Sequence, residues 1–262
     1  MKRRSGFFFI STLLLLVVFS SDELSAQETT DNKKLSIGFE AGYQFTSIFD
    51  SQAYSNLPKG KSGYNAGFFA EYPLASLISA RIGLNYDKRG FTSQDYLTPI
   101  GELQSNDSVY VSYASYYSTD LDYSLNYLSI PLSLIYTKGT GKYSLSLQVT
   151  VYYSILMSAV KNGSTELYIY PDHAPNFEKP EYQVPGSTIT TFNNENVLQD
   201  FTSNDWGVQI SLGLTYRINP QIAIFLSPGF TTSFQQLYAD PLRNSKWNNI
   251  YKVNAGIKYT LK

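Results

Sequence analysis

Hydrophobic and polar residues alternate singly along most of this chain, and a period of two is the signature of a β-strand with one apolar face. The first such segment, 34–46, sets Leu35, Ile37, Phe39, Ala41, Tyr43 and Phe45 against Ser36, Gly38, Glu40, Gly42 and Gln44. The pattern returns over 62–72, 77–89, 122–136, 142–156, 205–218, 221–234 and 249–261. These eight segments predict an all-β domain.

The connections between them run long, short, long, short: 47–61, 73–76, 90–121, 137–141, 157–204, 219–220 and 235–248. In an antiparallel meander, odd and even connections fall at opposite ends, so all long loops gather on one side and all short turns on the other. That asymmetry is the mark of transmembrane β-barrels, with short periplasmic turns and longer extracellular loops. The expectation is therefore an eight-stranded antiparallel transmembrane β-barrel, an up-and-down meander. The count rises to ten if part of 157–204 enters the wall.

A soluble barrel with its apolar face inward also alternates. The distribution of aromatics separates the two. Tyr72, Tyr136, Tyr143, Tyr216 and Tyr259 sit beside the short turns, whereas Tyr64, Tyr86, Tyr153, Trp206 and Tyr251 lie toward the long loops. Partners on one strand, such as Tyr143 and Tyr153 or Trp206 and Tyr216, are separated by about 21–26 Å along the membrane normal, for tilted strands rising ~3.4 Å per residue. This matches an apolar band of about 25 Å between two aromatic girdles. Pro131 lacks an N–H and predicts a bulge or missing rung in the fourth strand, relieved from the polar side.

The N-terminus reads separately. Lys2, Arg3 and Arg4 precede an apolar run from Phe7 to Phe19, and Leu24-Ser25-Ala26 offers a small residue before Gln27. Residues 1–26 are expected to be a cleaved signal peptide that exports the chain through the inner membrane. A short periplasmic segment, 27–33, then leads into the barrel domain, 34–262. Without the leader, 17 Lys and Arg face 19 Asp and Glu, which gives nucleic acid no reason to bind. The chain has no Cys, so neither disulfides nor thiol chemistry enter.

Several segments together resemble the Bacteroidetes-type outer-membrane β-barrel domain family, also called porin-family or PorT-like outer-membrane proteins. They are the Gly38–Tyr43 strand, the stretch from Arg81 to Gly90, Tyr127-Leu128-Ser129-Ile130-Pro131-Leu132, and the terminal Gly256-Ile257-Lys258-Tyr259. Ser129 stands where the family often has an acidic residue, and the chain ends Leu261-Lys262 where many members end in an aromatic. The resemblance implies a bacterial outer-membrane barrel without implying an open pore or a shared activity. It also brings in an accessory role in protein secretion as one reading.

The charged inward positions are Glu40, Glu71, Arg81, Asp87, Arg217, Lys252 and Lys258. Glu71 is expected to pair with Arg81, and Glu40 to meet Lys252 or Lys258 where the first and last strands join. A narrow lumen filled by ion pairs follows, with a small porin as the alternative. Catalysis is not expected, because the single His173 sits beside Asp172 in the longest loop without a triad geometry. The same scarcity of His and Cys leaves no metal site and no cofactor. Lys138-Gly139-Thr140-Gly141-Lys142 fits a hairpin turn and lacks the spacing of a phosphate loop.

Tyr110, Tyr113, Tyr168 and Tyr170 in the long loops are the candidate contact residues, since tyrosine combines area with a hydrogen-bonding tip. The function expected is a non-enzymatic scaffold, structural or surface-interacting. Its partners are outer-membrane lipid and lipopolysaccharide, the barrel assembly machinery, and a surface protein or glycan at the loops. The mature chain should require detergent or lipid, give a β-rich circular dichroism spectrum, and migrate differently on gels before and after boiling. Recovery as a soluble monomer without detergent overturns the membrane reading.

Overall fold

The computed structural model describes residues 34–50, 59–97, 100–105, 109–139, 141–170, 188–240 and 246–262, with backbone alone for 49–50, 95–97, 100–105, 109–117, 168–170 and 246–247. The expected leader 1–26, the segment 27–33 and His173 lie outside the described residues. Among the described residues ten strands form: β1 (Ser36–Asp50), β2 (Lys59–Pro73), β3 (Ile78–Leu97), β4 (Ile100–Ser105), β5 (Val109–Lys138), β6 (Tyr143–Tyr170), β7 (Thr188–Asn196), β8 (Asn204–Arg217), β9 (Ile222–Ser233) and β10 (Lys246–Thr260).

The eight-stranded up-and-down barrel expected from the sequence is corrected by the pairing. One sheet of ten strands runs in the order β4-β5-β3-β2-β1-β10-β9-β8-β6-β7, with a further pairing of β5 to β6. Every ladder is antiparallel, and among the described residues β4 and β7 each have a single neighbour, so the sheet carries free edges there. The two added strands continue existing lanes, β4 that of β3 and β7 that of β8. Leu97 of β3 lies opposite Tyr117 and Ile100 of β4 opposite Ala114, the same register on β5. β7 pairs with the distal part of β6, whose proximal part pairs with β8.

The expected loop 90–121 is therefore largely strand, and the described part of 157–204 includes the end of β6 and all of β7. Apolar alternation fades where a strand leaves the hydrocarbon, but backbone pairing continues through the Ser, Thr and Tyr residues there. Gly163, with φ of 120° in this extension, lets the backbones close up: a Cβ there would stand 2.0 Å from the Asp120 carbonyl oxygen.

The two faces of the sheet divide by chemistry. One is exposed and apolar, with Phe68, Leu145 and Leu212 showing 69%, 66% and 64% of their surface. The other is buried and polar, including Gln44, Asn65, Asn85, Ser133, Thr150 and Ser211. Exposed leucine beside buried asparagine inverts the arrangement of a soluble domain and suits a sheet surrounded by lipid. The sheet curls until its polar face meets itself: Phe69 of β2 and Phe225 of β9, which do not pair as strands, have ring centroids 5.7 Å apart.

Pro131 sits on the buried face. Ladder pairing between β3 and β5 runs to Ile82↔Leu132 and resumes at Asn85↔Ser129, so the rung at the proline is missing on the β3 side. Gly83 makes the space, since a Cβ on it would lie 3.1 Å from Pro131 Cγ.

A hydrophobic core closes the distal end of the buried face. Ile48, Phe91, Leu125, Tyr127, Leu156 and Ala159 come from the strands, and Val197, Phe201 and Leu237 come from the connections. The segment 197–203, with a 3-10 turn at Leu198–Asp200, is a strap held at both ends to β6. Val197 N–H donates to Ala159 O at 3.0 Å, and Leu156 N–H donates to Ser203 O at 2.8 Å. Its middle pairs with the β9–β10 connection: Thr202 N–H donates to Leu237 O at 3.0 Å and Ala239 N–H to Asp200 O at 3.1 Å. Phe201→Ala should cost about 3–5 kcal/mol, the usual range for emptying a buried phenylalanine site. Urea unfolding in detergent micelles, followed by tryptophan fluorescence, measures it.

Candidate functional site: the ionic interior and its aromatic seal

Alternation places every second residue of a strand on the buried face, and the charged residues among them collect in two groups. The first lies toward the short turns. Arg81 Nη2 donates to Glu71 Oε2 at 2.7 Å, and Arg81 Nε donates to the same oxygen at 3.1 Å. Lys258 Nζ donates to Glu71 Oε1 at 2.9 Å, so one carboxylate accepts from both neighbouring cations. The Arg81 guanidinium lies 4.0 Å from the Phe69 ring centroid and 5.2 Å from that of Phe225. Stacking on two rings lets a cation leave water without losing all its attraction.

Glu40 differs from expectation. It forms no ion pair within 4 Å with Lys252 or Lys258, and the register sets Gly256 opposite it, although Lys252 lines the same cavity. Its Oε2 stands 3.8 Å from Arg81 Nη1, and its Oε1 accepts from Asn85 at 3.1 Å and Asn254 at 3.4 Å. Lys252 joins Glu40, Arg81, Gln209 and Asn254 around a small polar cavity. Arg217 is not drawn into this group and is exposed at the short-turn end of β8.

The second group lies under the strap. Arg89 Nη1 donates to Asp205 Oδ2 at 2.5 Å, joining β3 to β8 across the interior, and Arg89 Nη2 lies 3.5 Å from Asp87 Oδ2. Asp205 also accepts from Tyr152 at 3.1 Å and from the Ser233 hydroxyl. Ser129 donates to Asp87 and lies 2.7 Å from Ser154. Arg89 is 4% exposed and packs over Tyr127 at 4.6 Å. Arg89 and Asp205 are the two residues missed in the sequence. Arg89 continues the inward row Arg81, Asp87, and Asp205 opens the row of Gly207 and Gln209, but each stands at a segment boundary where alternation fades.

Above this group lies an aromatic layer. Phe91 stacks on Tyr123 at 4.6 Å and meets Phe201 at 6.2 Å, and Phe201 stacks on Tyr238 at 5.4 Å. The interior thus holds two ionic groups and is closed by an apolar layer at its distal end.

On the opposite face, the expected girdle residues Tyr64, Tyr72, Tyr86, Tyr136, Tyr143, Tyr153, Trp206, Tyr251 and Tyr259 are exposed, with Tyr216 half-buried against Tyr143 at 5.1 Å. Tyr153 lies opposite Trp206, and Tyr251 opposite Phe230, so the distal aromatics adjoin across strands. Tyr110 and Tyr113 fall in β5 and Tyr168 and Tyr170 in β6, in backbone whose side chains are outside the described set.

Among the described residues no group of three His, Cys, Asp or Glu is placed to hold a metal. The two clusters bury each carboxylate against a cation or a hydroxyl and offer no nucleophile next to a free base.

The family described as outer membrane protein beta-barrel domain matches residues 25–239. No curated protein matches the chain. Similar solved structures include OprG from Pseudomonas aeruginosa, with 11% identity, 87% of this chain and 97% of that one covered, and a TM-score of 0.43. Neisserial surface protein A gives 11% identity, coverage of 86% and 97%, and a TM-score of 0.38. Ail of Yersinia pestis, crystallised with a heparin analogue, sucrose octasulfate, gives 12% identity, coverage of 86% and 99%, and a TM-score of 0.37. Likeness of this degree carries no argument about ligands.

Asp205→Asn should destabilise the protein by about 3–5 kcal/mol, because it leaves Arg89 buried without its closest anion. The double variant Arg89→Met/Asp205→Leu should recover most of that loss. Unfolding of the three proteins in the same detergent compares them, and equal losses for single and double variants would refute the pairing argument.

Proposed function

We propose, from the premise that this chain belongs to the outer membrane protein beta-barrel domain family, that it is a plugged scaffold presenting its distal extensions at the cell surface. It is a non-enzymatic β-protein of the outer membrane. The single observation that carries the scaffold reading is the strap. A potential conduit gains nothing from a hydrophobic core built across its distal end, whereas a support for surface contacts gains a rigid base.

The ionic interior supports the same reading. Glu40, Glu71, Arg81 and Lys258 form one bonded group, Asp87, Arg89 and Asp205 form another, and Lys252 lines the cavity beside Glu40 and Arg81. Fixed pairs of this kind set the orientation of inward residues more than they add net stability. The girdle tyrosines and Trp206 anchor the sheet at the two interfaces, against lipid and lipopolysaccharide. Insertion falls to the barrel assembly machinery after residues 1–26 direct export and are removed, leaving 27–33 in the periplasm.

The contacts on the outside belong to the extensions of β3 to β7. Tyr110, Tyr113, Tyr168 and Tyr170 lie there, where a surface protein or glycan is the partner. Membership of the PorT-like branch rests on the sequence stretches around Arg81–Gly90 and Tyr127–Leu132.

Reconstituted in planar bilayers, the protein should show no steady conductance, and mild-detergent pull-downs should recover a partner that is lost when 100–113 is deleted. Reproducible stepwise conductance that changes with Arg81→Ala or Glu71→Ala would overturn the plugged reading and favour a small porin.

A further inference from the structure

The distal strands are unequal in reach. Among the described residues, past the outer girdle, β1, β2, β9 and β10 run from Phe45 to Asp50, Tyr64 to Lys59, Phe230 to Ser233 and Tyr251 to Lys246. On the other side, β3 runs from Tyr86 to Leu97 and resumes as β4, and β6 runs from Tyr153 to Tyr170. The result is a one-sided fin, ordered β3-β5-β6-β7 across its base, with β4 continuing the β3 lane.

Both edges of the fin are free among the described residues. β3 pairs with β2 only as far as Thr92↔Lys59, and beyond it β3 and β4 pair with β5 alone. β7 pairs with β6 alone and is exposed on both faces. Natural sheets blunt such edges with charge, proline or a bulge. A register break between Lys161 and Gly163, with Asn194 at φ of 51°, bends the membrane-proximal end of β7. Thr188-Ile189-Thr190-Thr191-Phe192 carries no charge, no proline and no break, and it is rich in β-branched residues. None of these devices blunts this stretch of the edge.

Strand direction selects the partner. The fin has four strands at its base, so its edges run in opposite senses: β3 away from the membrane and β7 toward it. Copies held in one membrane share one orientation. The β7 edge of one copy therefore meets the β3 and β4 edge of a neighbour antiparallel, continuing the alternation β3-β5-β6-β7-β3. Two β7 edges related by an axis normal to the membrane would run parallel, which is the weaker pairing.

We infer that copies of this chain associate head to tail in the plane of the membrane, the β7 edge of one adding to the β3 and β4 edge of the next. Such a heterologous contact need not close and gives open rows. The inference rests on the outward orientation of the fin in the scaffold reading above and names a second copy as its partner.

The chain has no cysteine, which gives crosslinking a clean background. Thr190→Cys/Glu102→Cys and Thr190→Cys/Gln94→Cys are expressed in cells and oxidised in intact outer membranes. A ladder of dimers, trimers and longer species is expected from at least one double variant, and monomers from each single variant. Adding Thr191→Lys to the edge should abolish the ladder while leaving heat-modifiable migration unchanged. Monomers from both double variants overturn the inference, as does a dimer from Thr190→Cys alone, which signals two-fold β7 pairing. Efficient intrachain crosslinking in Thr190→Cys/Gln183→Cys also overturns it, by showing that the chain covers its own edge. Absence of the ladder with a partner still recovered in pull-downs sinks the inference alone. Loss of outer-membrane fractionation sinks the scaffold reading with it.

Discussion

Backbone hydrogen bonding is the constraint on which the rest of this structure depends. A strand in hydrocarbon has no water to satisfy its N–H and C=O groups, and each unpaired group costs several kcal/mol. All ladders are accordingly antiparallel, and the gaps in the β3–β5 and β8–β9 ladders fall at Pro131 and Pro228, residues with no N–H to leave unsatisfied. Once the backbone is committed to pairing, side chains can only point to one face or the other. Lipid takes the apolar set, and the polar set must satisfy itself inside.

The interior then follows from size and charge. A narrow space lined by Ser, Thr, Asn and Gln holds few long side chains, and those present are arranged as acceptors and donors across strands. Glu71 receives Arg81 and Lys258, while Asp205 receives Arg89, Tyr152 and Ser233. Where the ionic lining ends, hydrophobic residues from two connections fill the space. The strap thus does at one end what lipid does on the outside, which is to remove apolar groups from water.

Legibility in the sequence tracked this division. The membrane-facing rows were readable because lipid demands strict alternation, and the inward Glu71 and Arg81 were readable because they interrupt small polar residues. Their neighbours at the segment ends were harder. Arg89 and Asp205 sit where the outward row stops being purely apolar, so the period that marks orientation weakens just there. β4 and β7 were harder to read for a related reason: Thr188–Asn196 is exposed on both faces, and a strand in water needs pairing without needing alternation. Nothing local marks Val197, Phe201 and Leu237 as one core, since their proximity is created by strands far apart in the chain.

The strap also makes one part of the fold depend on another. Its ends are tied to β6, but its middle pairs with Leu237 and Ala239, which lie between β9 and β10. The apolar seal is therefore complete only with that connection in place, and a change confined to the connection acts on the strap without touching any of its residues.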